Sequence, residues 1–201
     1  MIRIAVLVGA KGRGSNLMAV LSAVSTGAIR GQVAVVIGSL KGASALDAAA
    51  AAGVETLVVG TANRTDDEYG AVLLRAINKR NVDLIVLAGY LRRLPDALTD
   101  AYAGRIVNIH PSLLPEFGGH GMYGRKVHEA VRDSGVTESG CTVHVVDNEY
   151  DHGPVVAQRR VDVYTDDTVD EIAARVLEAE HSLLVDVLAE ICSGQRSLPL
   201  A

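Results

Sequence analysis

Tryptophan is absent from this chain of 201 residues, and phenylalanine occurs only once. Aromatic residues make up 3% of the sequence while 49% is hydrophobic, so the core must be built mainly from Ala, Val, Leu and Ile. A basic excess is also missing, because the formal net charge is −5. Nucleic-acid partners require a basic face, and we therefore expect no nucleic-acid partner.

Cysteine is scarce as well, with only Cys141 and Cys192, which lie far apart in different predicted elements. They form neither a disulfide framework nor a zinc-binding spacing, and the six histidines are likewise scattered. No apolar run approaches the ~20 residues of a membrane span, and the N-terminal apolar stretch is too short for a signal peptide. These absences predict a soluble cytoplasmic protein with no metal and no membrane partner.

Runs rich in Val and Ile alternate along the chain with segments that carry apolar residues at helical spacing. The predicted strands are residues 2–8, 33–37, 55–59, 82–87, 105–109, 141–146 and 154–163. The predicted helices are residues 15–25, 44–52, 66–79, 96–102, 124–132 and 168–191. This alternation predicts an α/β fold with a doubly wound, mostly parallel sheet in a single domain, residues 1–201. The last two strands, separated only by residues 147–153, are expected to add an antiparallel edge.

A glycine-rich turn, GAKGRGSNL, follows the first strand directly. Ser15 and Asn16 stand where the next helix should begin, and free amides at a helix start attract a phosphate. Lys11 and Arg13 add positive charge to the turn. The spacing matches neither the dinucleotide fingerprint nor the triphosphate-binding loop. The residues alone therefore leave two interpretations open, a phosphate-binding turn and a capped helix start that any such fold needs.

Asn108 and His110 stand at the end of the fifth predicted strand, in RIVNIHPSLLP. Side chains alternate between the faces of a strand, so these two share a face. Ligands of open α/β sheets lie beyond the carboxyl ends of the strands. A carboxamide and an imidazole there suit the stabilisation of an oxyanion, and Pro111 and Pro115 fix the loop that follows. The alternative is a pair that is hydrogen-bonded for structure alone.

Asp151 lies in the predicted turn between the last two strands, in NEYDHGPVV. If this turn folds over the same sheet edge, the carboxylate reaches His110 and favours the charged imidazolium. An Asp in a turn is more often only a turn residue. Among the other histidines, His120 and His128 are predicted at the surface or in loops, and His144 is predicted to be a partly buried structural imidazole.

Four stretches together resemble the folate-dependent phosphoribosylglycinamide formyltransferases, namely GSNL, LAGYLRRL, AGRIVNIHPSLLP and DHGPVVAQ. The similarity covers roughly residues 2 to 192, with the elements in the same order. It implies transfer of a formyl group from the co-substrate 10-formyltetrahydrofolate to the amine of glycinamide ribonucleotide, in purine biosynthesis. The resemblance assigns catalysis to Asn108, His110 and Asp151, the ribonucleotide phosphate and ribose to Gly14, Ser15, Asn16 and Glu180, and folate binding to Arg92, Leu94 and Val146.

The chain departs from the family pattern in two places. The first turn is longer than the common Gly-Asn-Gly-Ser-Asn, which leaves the roles of Lys11 and Arg13 open. Segment 116–126 replaces the more usual Pro-Gly pattern, and its four glycines between 118 and 124 predict a mobile cover near the substrates.

Three competing functions use the same residues differently. A formyltetrahydrofolate hydrolase would direct the three catalytic residues at water, but it usually carries an N-terminal regulatory domain, which is not expected here. A methionyl-tRNA formyltransferase needs a basic C-terminal domain, which the net charge of −5 does not indicate. A non-catalytic nucleotide-binding module explains the glycine turn but not the three polar residues together. The expected partners are the two small-molecule substrates, and the expected state is a monomer or homodimer.

Overall fold

The computed structural model describes residues 1–9 and 14–200, so Lys11 and Arg13 lie outside the described residues. The strands are β1 (Arg3–Val8), β2 (Gln32–Gly38), β3 (Thr56–Val58), β4 (Leu84–Ala88), β5 (Ile106–His110), β6 (Glu138–Val145) and β7 (Val155–Asp162). The helices are α1 (Ser15–Ser25), α2 (Ser44–Ala51), α3 (Asp66–Asn78), α4 (Asp96–Ala101), α5 (Arg125–Ser134) and α6 (Val169–Ser193). They match the predicted elements and differ only at their ends. No helix in this described part is long and apolar enough to cross a membrane.

The seven strands form one sheet in the order β3-β2-β1-β4-β5-β6-β7. Strands β1 to β5 pair in parallel, whereas β6 runs antiparallel to both β5 and β7. The predicted α/β fold, with a mostly parallel sheet and an antiparallel edge, is confirmed. Because β1 lies between β2 and β4, the strand order reverses there, and such a reversal is where open α/β sheets bind ligands.

Strand β1 contributes side chains to hydrophobic cores on both faces of the sheet. Ile4, Val6 and Val8 pack on the side that carries α1, α2, α5 and α6, while Ala5 and Leu7 pack on the side that carries α3 and α4. A strand covered on both faces has no polar side, which is why this segment reads as a continuous apolar run. Helices on both faces make the sheet doubly wound, as predicted.

The helices begin in two different ways. Helices α3 and α6 start with complete capping boxes at Thr65 and Thr168, whose hydroxyls accept backbone N–H groups. A cap of this kind contributes roughly 1 kcal/mol. Helices α1 and α5 instead follow Gly14 and Gly124, neither of which supplies a side-chain acceptor. Their first amides are therefore left without the side-chain acceptor that a capping residue provides.

Candidate active site

A cavity of about 1070 Å³ opens at the carboxyl ends of the central strands. Gly9, after β1, Gly89, after β4, and His110, at the end of β5, all line it. The backbones of the first two come so close that a Cβ on Gly9 would lie 2.1 Å from the carbonyl oxygen of Gly89. Only glycine fits there. The volume is at the upper end of the range for small-molecule cavities, which leaves room for large ligands.

The carboxamide of Asn108 and the imidazole of His110 reach this cavity from the end of β5. Asn108 Nδ2 lies 3.1 Å from Nε2 of His144, its cross-strand partner on β6. His110 is only 4% exposed, and its Nε2 lies 3.0 Å from the carbonyl oxygen of Phe117, to which it donates. The structure thus brings the two side chains of the NIH motif to one cavity wall.

Asp151 comes to the same wall from the turn between β6 and β7. Its φ of 54° is in the left-handed region. Its Oδ1 lies 3.4 Å from Nδ1 of His110 and 3.6 Å from Nε2 of His144. Its Oδ2 accepts a hydrogen bond of 2.9 Å from the backbone N–H of Gly119. One carboxylate therefore contacts two imidazoles and the loop after β5.

Burial sets the protonation of this cluster. It lowers the pKa of His110 below the ordinary 6.5, and the charge of Asp151 and the Phe117 carbonyl only partly oppose it. Asp151 therefore favours the charged imidazolium, as predicted, but desolvation of the charged form has the larger effect on the pKa of His110. Burial acts to raise the pKa of Asp151, but the nearby His144 imidazole, the charge of His110 and the Gly119 N–H bring it below the ordinary 3.8.

Asn16 and Glu180 form an incomplete polar pair on another wall of the cavity. Glu180 is 8% exposed, and it accepts one long hydrogen bond, 3.4 Å, from Asn16 Nδ2. The oxygen of the Asn16 amide, Oδ1, is buried without a partner. Burial raises the pKa of Glu180 to about 7, against the opposing effect of Asn16. A buried acceptor that lacks a donor, beside a carboxylate with a single long hydrogen bond, suits a ligand that brings hydroxyl groups.

Gly14 and Ser15 lie at the start of α1, beside Asn16, without lining the cavity themselves. Gly14 has a φ of 75°, and a Cβ there would stand 2.9 Å from the Cβ of Ala45. The left-handed backbone and this close approach both require glycine. The turn therefore sets the position from which Asn16 reaches the cavity.

The three residues assigned to folate line the cavity on the side of α3 and α4. Arg92 forms an ion pair with Asp66, and its guanidinium carbon lies 5.4 Å from the ring centre of Tyr69. Leu94 is buried in the core on this face, and Val146 packs against the same core. The side chains thus form an apolar wall with one fixed cation beside it.

The family model described as Formyl transferase matches residues 2–188. This chain belongs to the formyl transferase family. The resemblance seen in the four sequence stretches is thereby confirmed.

Individual formyl transferases resemble the chain over most of its length. It is 42% identical over 183 residues to the chloroplastic phosphoribosylglycinamide formyltransferase of Arabidopsis thaliana, a match that covers 90% of this chain but 63% of the relative. The phosphoribosylglycinamide formyltransferase of Escherichia coli (strain K12) is 37% identical over 185 residues, covering 92% of this chain and 85% of the relative. The crystal structure of glycinamide ribonucleotide transformylase 1 from Symbiobacterium toebii superposes with a TM-score of 0.90 at 37% identity, covering 98% of this chain and 91% of that one.

Two further histidines belong to the site of this formyl transferase. His144 is buried, as predicted. Its Nε2 contacts the side chain of Asn108, so this histidine adjoins a candidate catalytic residue. The prediction that His128 lies at the surface or in a loop is wrong, because it is 7% exposed within α5 and lines the cavity. Its Nδ1 is buried without a partner. The buried residues Val127 and Val131 share its helix face, a spacing that could have predicted this burial.

Segment 116–126 crosses one side of the cavity of this formyl transferase. Besides the bond from Gly119 to Asp151, the ring of His120 meets the ring of Tyr150 edge to face, with 5.4 Å between ring centres. The segment is therefore attached at two points to the turn between β6 and β7. That it acts as a mobile cover stays a hypothesis.

The end of β5 presents groups that can form hydrogen bonds and transfer protons. Among residues 1–9 and 14–200, no group of three or more His, Cys, Asp or Glu side chains could hold a metal ion. An amide donor, an imidazole that is neutral near pH 7 and an ionised carboxylate surround the end of β5. Such a set can stabilise charge on a carbonyl oxygen while a nucleophile brought by a ligand attacks the carbon.

Proposed function

We propose that this formyl transferase moves a formyl group from 10-formyltetrahydrofolate to the amine of glycinamide ribonucleotide, a step of purine biosynthesis. The observation that carries the proposal is the meeting of Asn108, His110 and Asp151 at one end of β5. The printed names of the relatives describe an enzyme of this kind. We further propose that it acts in the cytoplasm on these two small molecules, as a monomer or homodimer.

The position of the cavity supports two substrates that meet at the end of β5. Asn16 and Glu180 belong to α1 and α6, which cover one face of the sheet. Leu94 and Val146 pack with the core on the opposite face. A ribonucleotide held on the first side and a folate held on the second would place the amine and the formyl group near the strand end between them.

The amine of the ribonucleotide acts as the nucleophile in this scheme. Its attack on the formyl carbon builds negative charge on the formyl oxygen, to which Asn108 donates a hydrogen bond. His110, which is neutral before the reaction, takes up the proton that the attacking nitrogen loses, and Asp151 beside the ring favours the resulting imidazolium. The bond from the formyl carbon to the folate nitrogen then breaks. The proton lost by the attacking nitrogen passes to the leaving nitrogen with the help of the same groups.

We expect Asn108→Ala and His110→Ala to fold normally and to lose most turnover, because each removes a donor that contributes about 3 kcal/mol to transition-state stabilisation. The measurement is the absorbance change as 10-formyltetrahydrofolate is consumed, with and without glycinamide ribonucleotide. As a control, His152→Ala removes an exposed imidazole and should keep the activity of the unmodified protein.

Each outcome of the assay has a distinct meaning. Consumption of the folate only when the ribonucleotide is present supports the transferase. Consumption without the ribonucleotide indicates the hydrolase, and no consumption indicates a binding module. Turnover close to that of the unmodified protein in either alanine variant would remove the assigned roles.

A further inference from the structure

The first turns of α5 bring basic and polar side chains to the cavity. Arg125, Lys126 and His128 all line it, and the preceding Gly124 offers no side-chain cap to the helix amides. Arg125 and His128 are three residues apart and thus share a helix face. The ammonium of Lys126 instead lies 5.1 Å from the ring centre of Tyr123.

His128 is buried at the cavity wall, and its burial indicates that it contacts a ligand. Its Nδ1 has no hydrogen-bond partner and no access to solvent, so only Nε2 of the ring can form a hydrogen bond with a ligand in the cavity. Burial, followed by the charges of His110 and Arg125, lowers its pKa, and the ring is neutral near pH 7. A buried N–H without an acceptor is rarer than a buried lone pair without a donor, so the proton belongs on Nε2. His128 therefore presents a neutral donor to the cavity.

The facing wall, from α6, supplies no positive charge. Its cavity-lining residues run along one side of the helix from Asp170 through Ala173 and Leu177 to Glu180. Arg125 forms an ion pair with the first of these, Asp170. The start of α5 therefore adjoins the same side of α6 as Glu180, which lies ten residues further along that helix. The cavity arginines that follow β4, including Arg92, belong to the folate side instead.

We propose that Arg125 and His128 bind the phosphate group of the ribonucleotide, opposite the turn at Gly14–Asn16. This inference rests on the proposed function, which supplies the ligand. A phosphate dianion accepts paired hydrogen bonds from a guanidinium and one more from an imidazole N–H. The present partners of Arg125, namely Asp170 and Glu129, do not prevent this, because ion pairs between exposed side chains are weak.

The test is a calorimetric titration with ribose 5-phosphate, and with ribose as the probe that lacks the phosphate. We expect Arg125→Ala and His128→Gln each to raise the Kd for ribose 5-phosphate about tenfold, the loss typical of a hydrogen bond to a charged group. Weak binding of ribose should not change. In steady-state assays the same variants should raise KM for the ribonucleotide and leave kcat and KM for the folate unchanged.

Arg132→Ala is the matched control, because it removes the same charge from the other end of α5, where the arginine pairs with the exposed Asp133. Unchanged affinity for ribose 5-phosphate in both Arg125→Ala and His128→Gln would overturn the inference, as would failure of the unmodified protein to bind this probe. A rise in KM for the folate alone would assign the start of α5 to the carboxylates of the folate tail. If ribose 5-phosphate binding depends on Arg125 but no formyl transfer occurs, only the proposed function fails.

Discussion

Replacing Glu180 with glutamine removes an ionisable group from a buried position while keeping its shape. The carboxyl is 8% exposed and has one long hydrogen bond, from Asn16. Its charged form therefore destabilises the folded chain, and the pKa rises from the ordinary 4.5 to about 7. We expect Glu180→Gln to make the protein more stable at neutral and alkaline pH and less able to bind its ribonucleotide.

The size of the effect follows from the two pKa values. The folded state holds this proton more tightly than the unfolded state, so the stabilisation is fully present below 4.5 and is lost as pH rises to about 7. The difference of about 2.5, from 4.5 to about 7, at about 1.4 kcal/mol per pH unit, gives about 3–4 kcal/mol. Glutamine does not ionise, so residue 180 contributes the same stability to the Glu180→Gln variant across this pH range. Its gain in unfolding free energy should thus reach about 3–4 kcal/mol at pH 8 and vanish near pH 4.

Thermal unfolding of both proteins across pH 4 to 8 measures this directly, and about 3–4 kcal/mol corresponds to a Tm difference of about 6–16 °C in a chain of this size. Glu178→Gln is the matched control, because the same change on an exposed part of α6 should have little effect at any pH. A Tm difference between the Glu180 variant and the unmodified protein that is the same at pH 4 and pH 8 would refute the reasoning. In steady-state kinetic assays of the unmodified protein, KM for the ribonucleotide should fall as pH rises through about 7.

Two more substitutions test the strand ends. Asp151→Asn removes the charge 3.4 Å from His110, an attraction of about 5 kcal/mol at an effective dielectric constant of about 20, and kcat should fall about 1000-fold. A loss of less than tenfold would contradict this, and Glu138→Gln, which breaks only an exposed ion pair, is the control. Gly9→Ala places a methyl group 2.1 Å from the Gly89 carbonyl oxygen and should lower the unfolding free energy by about 2 kcal/mol or more, measured by urea denaturation.

Much of the sheet was predictable because its strands show their burial in their composition. Strands β1 and β4 are covered on both faces; β1 is apolar from Ile4 to Val8 and β4 is apolar throughout. The antiparallel edge followed from the short connection at residues 147–153, which joins β6 and β7. Asn108 and His110 were predicted to share a face because strand side chains alternate with a period of two. These features depend on residues that are close together in the sequence, so the sequence is sufficient to predict them.

Other features of the site depend on contacts between distant segments. The approach of Asp151 to His110 requires the β6–β7 turn to fold over β5, and turn composition does not specify that direction. The position of His144 beside Asn108 could not be predicted from the sequence. In a strand buried on both faces, core residues and cavity-lining residues show the same sequence pattern. The direction of the His110 pKa was also missed, because it depends on how much water the finished fold excludes.

Helical periodicity carried two signals that did not enter the predictions, although the resemblance had already assigned Glu180 to the ribonucleotide. His128 lies between Val127 and Val131 on the apolar side of a short helix, and that position predicts burial. Glu180 similarly interrupts an apolar stripe on α6 that includes Val176 and Leu184. An ionisable residue inside an apolar stripe is costly to bury and so indicates a functional site.

The bond between the Gly119 amide and Asp151 has a consequence for how the site responds to its surroundings. That amide is one of the donors that keep the carboxyl group ionised. Displacement of the chain around Gly119 would break this hydrogen bond and raise the pKa of Asp151. Protonation of Asp151 would then weaken its electrostatic effect on His110. The acid–base behaviour of a strand end deep in the fold is thereby tied to the position of a surface segment.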